Sequence, residues 1–153
     1  MKKAILVAAV CLLASLLGVT YLQAAEEKES VAAAMVALDE FMAAFNARDP
    51  EAWAATLNYP HVRFASGTVR VWETKEEFAA YMDFDAFAER FGWDHSGWDR
   101  RDVAQSGKDK VHFATTFSRY DADNKKIATF DSLYVVTKVD GHWGTQARSS
   151  FAP

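Results

Sequence analysis

The sequence predicts an α+β fold in which a cone-shaped, curved antiparallel sheet wraps around N-terminal helices. Three observations carry this: helical apolar spacing is confined to residues 31–57 and 74–91, period-two alternation fills residues 61–72 and 98–151, and turn residues separate the alternating runs. The 153 residues, 50% hydrophobic and 14% aromatic, suit one domain with a substantial core.

Lys2 and Lys3 precede an apolar run from Ala4 to Val19, followed by Thr20-Tyr21-Leu22-Gln23-Ala24-Ala25 and the acidic Glu26-Glu27. That order is a secretory signal peptide cut after Ala24 or Ala25, which divides the chain into a leader, residues 1–25, and one domain, residues 26–153, in the periplasm or outside the cell. The alternative is an uncleaved anchor, since Ala4 to Leu22 approaches the ~20 residues of a spanning helix; membrane contact is expected only then. Cys11 follows Val10, where a lipoprotein signal wants a small residue, and leaves with the leader, so the domain has no disulfide. Losing Lys2 and Lys3 leaves 15 basic against 21 acidic residues, a net charge of −6, which argues against a nucleic-acid partner.

Ser30 reads as the N-cap of a helix whose stripe is Val31, Met35, Leu38, Met42 and Phe45, widened by Phe41. Asp49-Pro50 supplies a cap and a first-turn proline for a short helix carrying Trp53 and Leu57, and Asn58-Tyr59-Pro60 breaks the pattern. Residues 61–72 alternate about a Ser66-Gly67 turn, with Val62, Phe64, Val69 and Val71 read as the core side and His61, Arg63, Arg70 and Trp72 as the other. Thr74-Lys75-Glu76-Glu77 is a capping box, and Asp83 restarts a helix that ends at Gly92. Trp93 to Gly97 reads as irregular, followed by a strand near Trp98 to Gln105 and three further strands.

The Val139-Asp140-Gly141-His142 turn suits a type I′ hairpin. Uniform pairing from it places Leu133 opposite Arg148 and makes Asp131 and Arg148 diagonal neighbours on one inward face. Pairing Tyr120 with Lys126 adds Val111, Phe113, Thr115, Phe117 and Arg119 to that face, with Thr115 opposite Asp131. An acid, a guanidinium and a hydroxyl in an apolar wall could hold a small polar ligand, or could be an internal ion pair that ties strands together. A second group is His61 with Tyr59 and Arg63, where Arg63 faces Arg70 as a like charge unless an anion lies between them. The favoured reading of that group is a solvated face with His61 stacked on Trp72.

His61, His95, His112 and His142 lie on different elements without metal-ligand spacing, no glycine-rich phosphate loop follows a strand, and no serine has a nucleophile-elbow context. No metal and no cofactor is expected.

The run Ala37-Leu38-Asp39-Glu40-Phe41-Met42-Ala43-Ala44-Phe45-Asn46-Ala47-Arg48-Asp49, the strand order and the closing Thr137-Lys138-Val139-Asp140-Gly141-His142-Trp143 resemble the nuclear-transport-factor-2-like (NTF2-like, SnoaL-like) superfamily over essentially the whole domain. The resemblance implies the cone-shaped fold and leaves the activity open among isomerases, dehydratases, cyclases and non-catalytic modules. Its ketosteroid isomerases use a strand carboxylate and a helix hydroxyl, where this chain offers His61, Arg63 and Phe64, and Phe41 and Phe45. The resemblance also implies a homodimer through the outer sheet face, read as His112, Ala114, Thr116, Ser118, Ser132, Tyr134, Thr145, Ala147 and Ser149.

The expected function is an exported domain that binds a small, partly apolar molecule at Asp131, Arg148 and Thr115, with His61, Arg63 and Tyr59 as a second group. Binding ranks above an isomerase or lyase that uses Asp131 as base, because a neighbouring arginine makes a carboxylate a weaker base. The rival is a protein-interaction module whose own side chains fill the cone.

Overall fold

In a computed structural model of the chain, residues 2–153 are described, with side chains described from Ala24 onward. The leader's side chains up to Gln23, and Cys11 among them, therefore lie outside the described residues. The elements run α1 (Lys2–Asn46), α2 (Pro50–Ala55), β1 (Leu57–Ala65), β2 (Thr68–Trp72), α3 (Lys75–Ala79), α4 (Phe84–Phe91), β3 (His95–Gly107), β4 (Lys110–Tyr120), β5 (Lys126–Val139) and β6 (His142–Ser150). The six strands form one curved, open sheet in the order β2-β1-β6-β5-β4-β3. Four contacts are antiparallel, and β1 runs parallel to β6, a choice of partner that alternation along a strand does not encode.

The helix boundaries follow local chemistry. Asp49 accepts from the Ala52 N–H and Asp83 from the Ala86 N–H, each at 2.9 Å, and Thr74 Oγ1 accepts from the Glu77 N–H at 3.2 Å. Gly92 ends α4 at φ 61°, and the Ser66-Gly67 and Asp140-Gly141 turns both hold positive φ, as type I′ hairpins require. Ser30 is not a cap: α1 runs straight through it, and its Oγ donates to the Lys108 carbonyl at 2.6 Å, tying the helix to the β3–β4 turn. Residues 58–60 belong to β1, and β3 begins at His95, because pairing of His95 with Tyr120 and Gly97 with Ser118 orders a segment whose composition reads as irregular. Gly144 is needed where β1 joins β6, since a Cβ there would stand 2.9 Å from the Leu57 backbone.

The core forms where α1 lies in the sheet's concavity. Ala34, Ala37, Leu38 and Phe41 are buried against Val111, Phe113, Tyr134 and Val136, while Trp53, Phe78, Phe84 and Trp93 close the side. Phe45 sits within an aromatic cluster, its ring 4.9 Å from those of Trp53 and Trp93.

Two expectations about facing are overturned. On the β1–β2 hairpin the register is as predicted, but Val69 and Val71 are more than half exposed while His61 and Trp72 are buried. The hairpin turns its aromatic side to α3, where Phe78 meets Trp72 at 5.0 Å and His61 at 5.4 Å; burying those rings outweighs burying the valines. The second correction concerns Asp131. The β5–β6 hairpin starts from Val139 opposite His142, but Gln146 is an unpaired bulge residue, so Arg148 comes opposite Tyr134 rather than Leu133. Ile127 is likewise unpaired in the β4–β5 ladder, so Thr116 rather than Thr115 faces Asp131. Each bulge moves β5 by one residue against its neighbour, and one residue reverses every side chain. Ser132, Tyr134 and Val136 therefore point inward with Thr145 and Arg148, while Asp131 and Leu133 join the convex side.

Candidate functional site

Cross-strand register builds the site. Arg70 on β2 is the partner of Arg63 on β1, Arg63 of Arg148 on β6, and Arg148 of Tyr134 on β5. Three arginines thus stand side by side on adjacent strands at a spacing of about 4.8 Å, an arrangement that like-charge repulsion disfavours. They face a cavity of about 330 Å³ between the concave sheet, α1 and α4, walled by Phe41, Phe45, Trp53, Phe87 and Tyr134. Arg119 from β4 and Arg90 from α4 also line it. A neighbouring hollow of about 260 Å³ shares Arg63, Arg70, Tyr81 and Pro153 with it.

The electrostatics are one-sided. Among the described residues, no Asp, Glu or His side chain lines the cavity, and none of its five arginines has an Asp or Glu side chain within salt-bridge distance. Arg63 donates from Nη2 to the Pro153 carbonyl at 3.1 Å, and Arg148 from Nη1 to Tyr134 Oη at 3.4 Å. The Nε–H groups of Arg63, Arg119 and Arg148, together with the indole N–H of Trp53, are buried without a partner. Aromatic faces supply part of the missing compensation: the Arg119 guanidinium lies 4.8 Å from the Phe87 ring and 4.9 Å from that of Phe130, and Arg148 lies 5.7 Å from Phe41. Burial, and next the charge of Arg148, pull the Arg63 and Arg119 guanidiniums down to about 10, so both remain cationic at neutral pH.

Of the residues singled out from sequence, the structure brings Arg63 and Arg148 together on the cavity wall, and Arg70 beside them. Asp131 is exposed on the convex side, where it accepts from Thr116 Oγ1 at 2.7 Å. Thr115 is inward but buried in the sheet, donating to the Ser132 carbonyl at 3.2 Å. Tyr59 turns toward α2 and donates to the Ala54 carbonyl at 2.8 Å; burial foremost, then Glu76 and Glu51, raise its phenol. His61 is buried rather than solvated, though tilted against Trp72 with ring centres 5.8 Å apart, as read from sequence. Its Nδ1–H donates to the Thr145 carbonyl at 3.0 Å, and burial first, then Arg148, lower it to about 3, so it is a neutral packing residue at pH 7. Arg119 lies inward as the alternation of β4 predicts, though not predicted as a site residue; Tyr134, expected on the outer face, is buried and lines the cavity; and Arg90 on α4 carries no sequence signal for the site.

Such a cavity can hold an anion by hydrogen-bond donation and an apolar body by contact. It lacks an ordinary proton acceptor among the described lining residues. A curved sheet closed over helices around a pocket defines the NTF2-like class of α+β domain. Within it, the chain belongs to the family described as NTF2-like protein (DUF6841), whose model matches residues 27–147. No curated protein matches the sequence.

Solved structures share the fold. An NTF2-like protein with a cystatin-like fold from Novosphingobium aromaticivorans is 11% identical, with a TM-score of 0.65 over 88% of this chain and 86% of that one. A ketosteroid isomerase-like protein from Erwinia carotovora atroseptica is 21% identical, with a TM-score of 0.57 over 82% and 98%. A Catenulispora acidiphila protein in complex with S-DNPA is 15% identical, with a TM-score of 0.62 over 79% and 91%.

Proposed function

We propose that this protein is an exported binding domain for a small amphiphilic anion, held in the arginine-lined cavity with its apolar part against Phe41, Phe45 and Tyr134. The observation that carries the reading is a lining of five arginines with no Asp or Glu side chain among them, in which the Nε–H groups of Arg63, Arg119 and Arg148 are also buried without a partner. Buried charges that lack partners cost stability, and an anionic ligand supplies the partners. The volume falls in the range of small-molecule sites. The solved relative in complex with S-DNPA supports a ligand role for the fold. Isomerase or lyase chemistry commonly uses an Asp, Glu or His base, and the described lining offers none of these side chains.

Benzoate and its uncharged isostere benzamide test this directly. Benzoate in tenfold excess over a millimolar dissociation constant should stabilise the protein by about 1.4 kcal/mol, with benzamide giving no comparable shift in a thermal melt. Arg148→Met should abolish the benzoate effect and raise the melting temperature of the ligand-free protein, because it relieves the repulsion on Arg63 and Arg119. Equal stabilisation by benzamide would overturn the reading.

Export rests on the leader's pattern and on one structural fact: residues 24–29 are all exposed and Ser30 is the first buried residue described, so a cut after Ala24 or Ala25 removes no described core residue. N-terminal sequencing of protein from the periplasm or medium checks it. A homodimer through the convex face is favoured by Phe64, Val69, Val71 and Leu133, each about half exposed there. Of the outer-face residues expected from sequence, Ser132, Tyr134 and Thr145 turn inward while Thr116 and Ser149 keep that side, and Leu133→Lys should shift the sedimentation coefficient to that of a monomer.

A further inference from the structure

Resting on that reading, we infer that the ligand carries two negative charges on oxygen, one answered by the Arg63–Arg148 pair and the other by Arg119. The pair and Arg119 enter the cavity from different parts of the sheet. Arg63 and Arg148 lie in the register row that continues through Tyr134 to Phe113 on β4. Arg119 stands six residues beyond Phe113 on that strand, about 20 Å of extended chain at 3.3 Å per residue. Its side chain nevertheless lines the same cavity as theirs.

The two poles are built differently. Arg63 and Arg148 are direct cross-strand partners, so one carboxylate between them answers both, by the forked geometry that guanidinium groups offer to oxygen anions. Arg119 is only 6% exposed and is held among the rings of Phe87, Phe91 and Phe130, 4.8 to 5.4 Å from their centres. Those rings fix its position without neutralising it, and its Nε–H keeps no partner. A monoanion seated at the pair leaves Arg119 a buried, unmatched cation, the state an interior tolerates least. A second anionic group relieves it. Arg70, over the Tyr81 ring at 4.6 Å, and Arg90, over Phe91 at 5.2 Å, add to the positive field of the same cavity.

Calorimetric titration of the whole protein with three probes on one aromatic body tests this: benzoate as monoanion, isophthalate with two separated carboxylates, and phenyl phosphate with both charges on one group. Binding of either dianion at least tenfold tighter than benzoate is expected; preference for isophthalate marks two separated poles, and preference for phenyl phosphate marks poles that converge on one group. Arg119→Met should erase the advantage of the preferred dianion, so that it and benzoate bind the variant alike. Arg119→Lys, which keeps the charge, should retain part of the preference and guards against misreading a misfolded variant. Equal binding of benzoate and both dianions, or selectivity that survives Arg119→Met, overturns the inference and leaves the anion site standing. Binding of none of the three overturns both.

Discussion

The convex side of the sheet and the cavity treat charge in opposite ways. On the convex side acids and bases find each other or a hydroxyl: Arg100 pairs with Asp102 at 2.6 Å, Lys126 with Asp99 at 3.3 Å, and Asp131 takes a hydroxyl from Thr116. In the cavity five arginines meet without an Asp or Glu side chain among the described lining residues, in a chain whose net charge is −4, whereas Arg101, elsewhere on the concave side, pairs with Asp39. A chain with 21 acidic residues had acids to spare for this wall. Pairing on the convex side is ordinary surface electrostatics, worth little at each contact. Unmatched cations on the concave side cost stability, and a group in the site that answers them gives that cost a function.

The largest effect that separates the sides is one of packing. Phe113 is fully buried on the concave side and Leu133 is 56% exposed on the convex side. Phe113→Ala should cost about 3–5 kcal/mol, and Leu133→Ala should stay within about 0.5 kcal/mol in a monomer. Urea unfolding of both variants at low protein concentration checks the contrast. A large, concentration-dependent loss for Leu133→Ala would sharpen it in another way, by showing that a second copy covers the convex face.

The next effect is a pH dependence that arises from His61. His61 titrates at about 3 in the folded protein and near 6.5 when unfolded. Between those values the unfolded chain binds a proton that the folded one refuses, so stability is complete above pH 6.5 and falls on acidification, by up to about 1.4 kcal/mol per pH unit for one proton. Replacement by phenylalanine should remove this component of the acid slope between pH 6 and 4, at the expense of about 1 kcal/mol at pH 7 for the lost bond to Thr145. Denaturation curves at several pH values measure both. An unchanged slope in His61→Phe would mean that the ring takes its proton in the folded state and that the concave wall tolerates one more cation.

How much of this was legible beforehand depends on the kind of signal. Helix limits at Asp49, Thr74, Asp83 and Gly92, and the turns at Ser66-Gly67 and Asp140-Gly141, are local chemistry and could be read directly. Strand existence was legible too, and so was the inward side of β4, because Val111, Phe113 and Phe117 alternate with polar residues. Facing on β5 was not. Gln146 and Ile127 are unremarkable in sequence, yet each is an extra residue in its ladder, and the two together decide that Tyr134 points in and Asp131 out. The β1–β2 hairpin failed for a different reason. Its valines and its aromatic residues compete for the interior, and the winner is chosen by Phe78, a residue on a separate helix. Arg63 and Arg70 facing each other was readable, but the parallel docking of β1 on β6 that adds Arg148 to the row was not.

The smallest expected effect is the most discriminating about Asp131. If that carboxylate were the partner of Arg148 inside the cone, Asp131→Asn would leave a buried guanidinium unmatched, and losses of about 3–5 kcal/mol attend such a break. On the convex surface the substitution keeps an oxygen to accept from Thr116 and removes one exposed charge, so stability should change by no more than about 0.5 kcal/mol. Benzoate affinity should be unaltered within twofold, since the side chain lies across the sheet from the cavity. Chemical denaturation and a calorimetric titration of Asp131→Asn decide both points. A multi-kcal/mol loss, or a tenfold fall in affinity, would mean that the bulges at Gln146 and Ile127 are absent in solution and that the two sides of the sheet must be exchanged along β5.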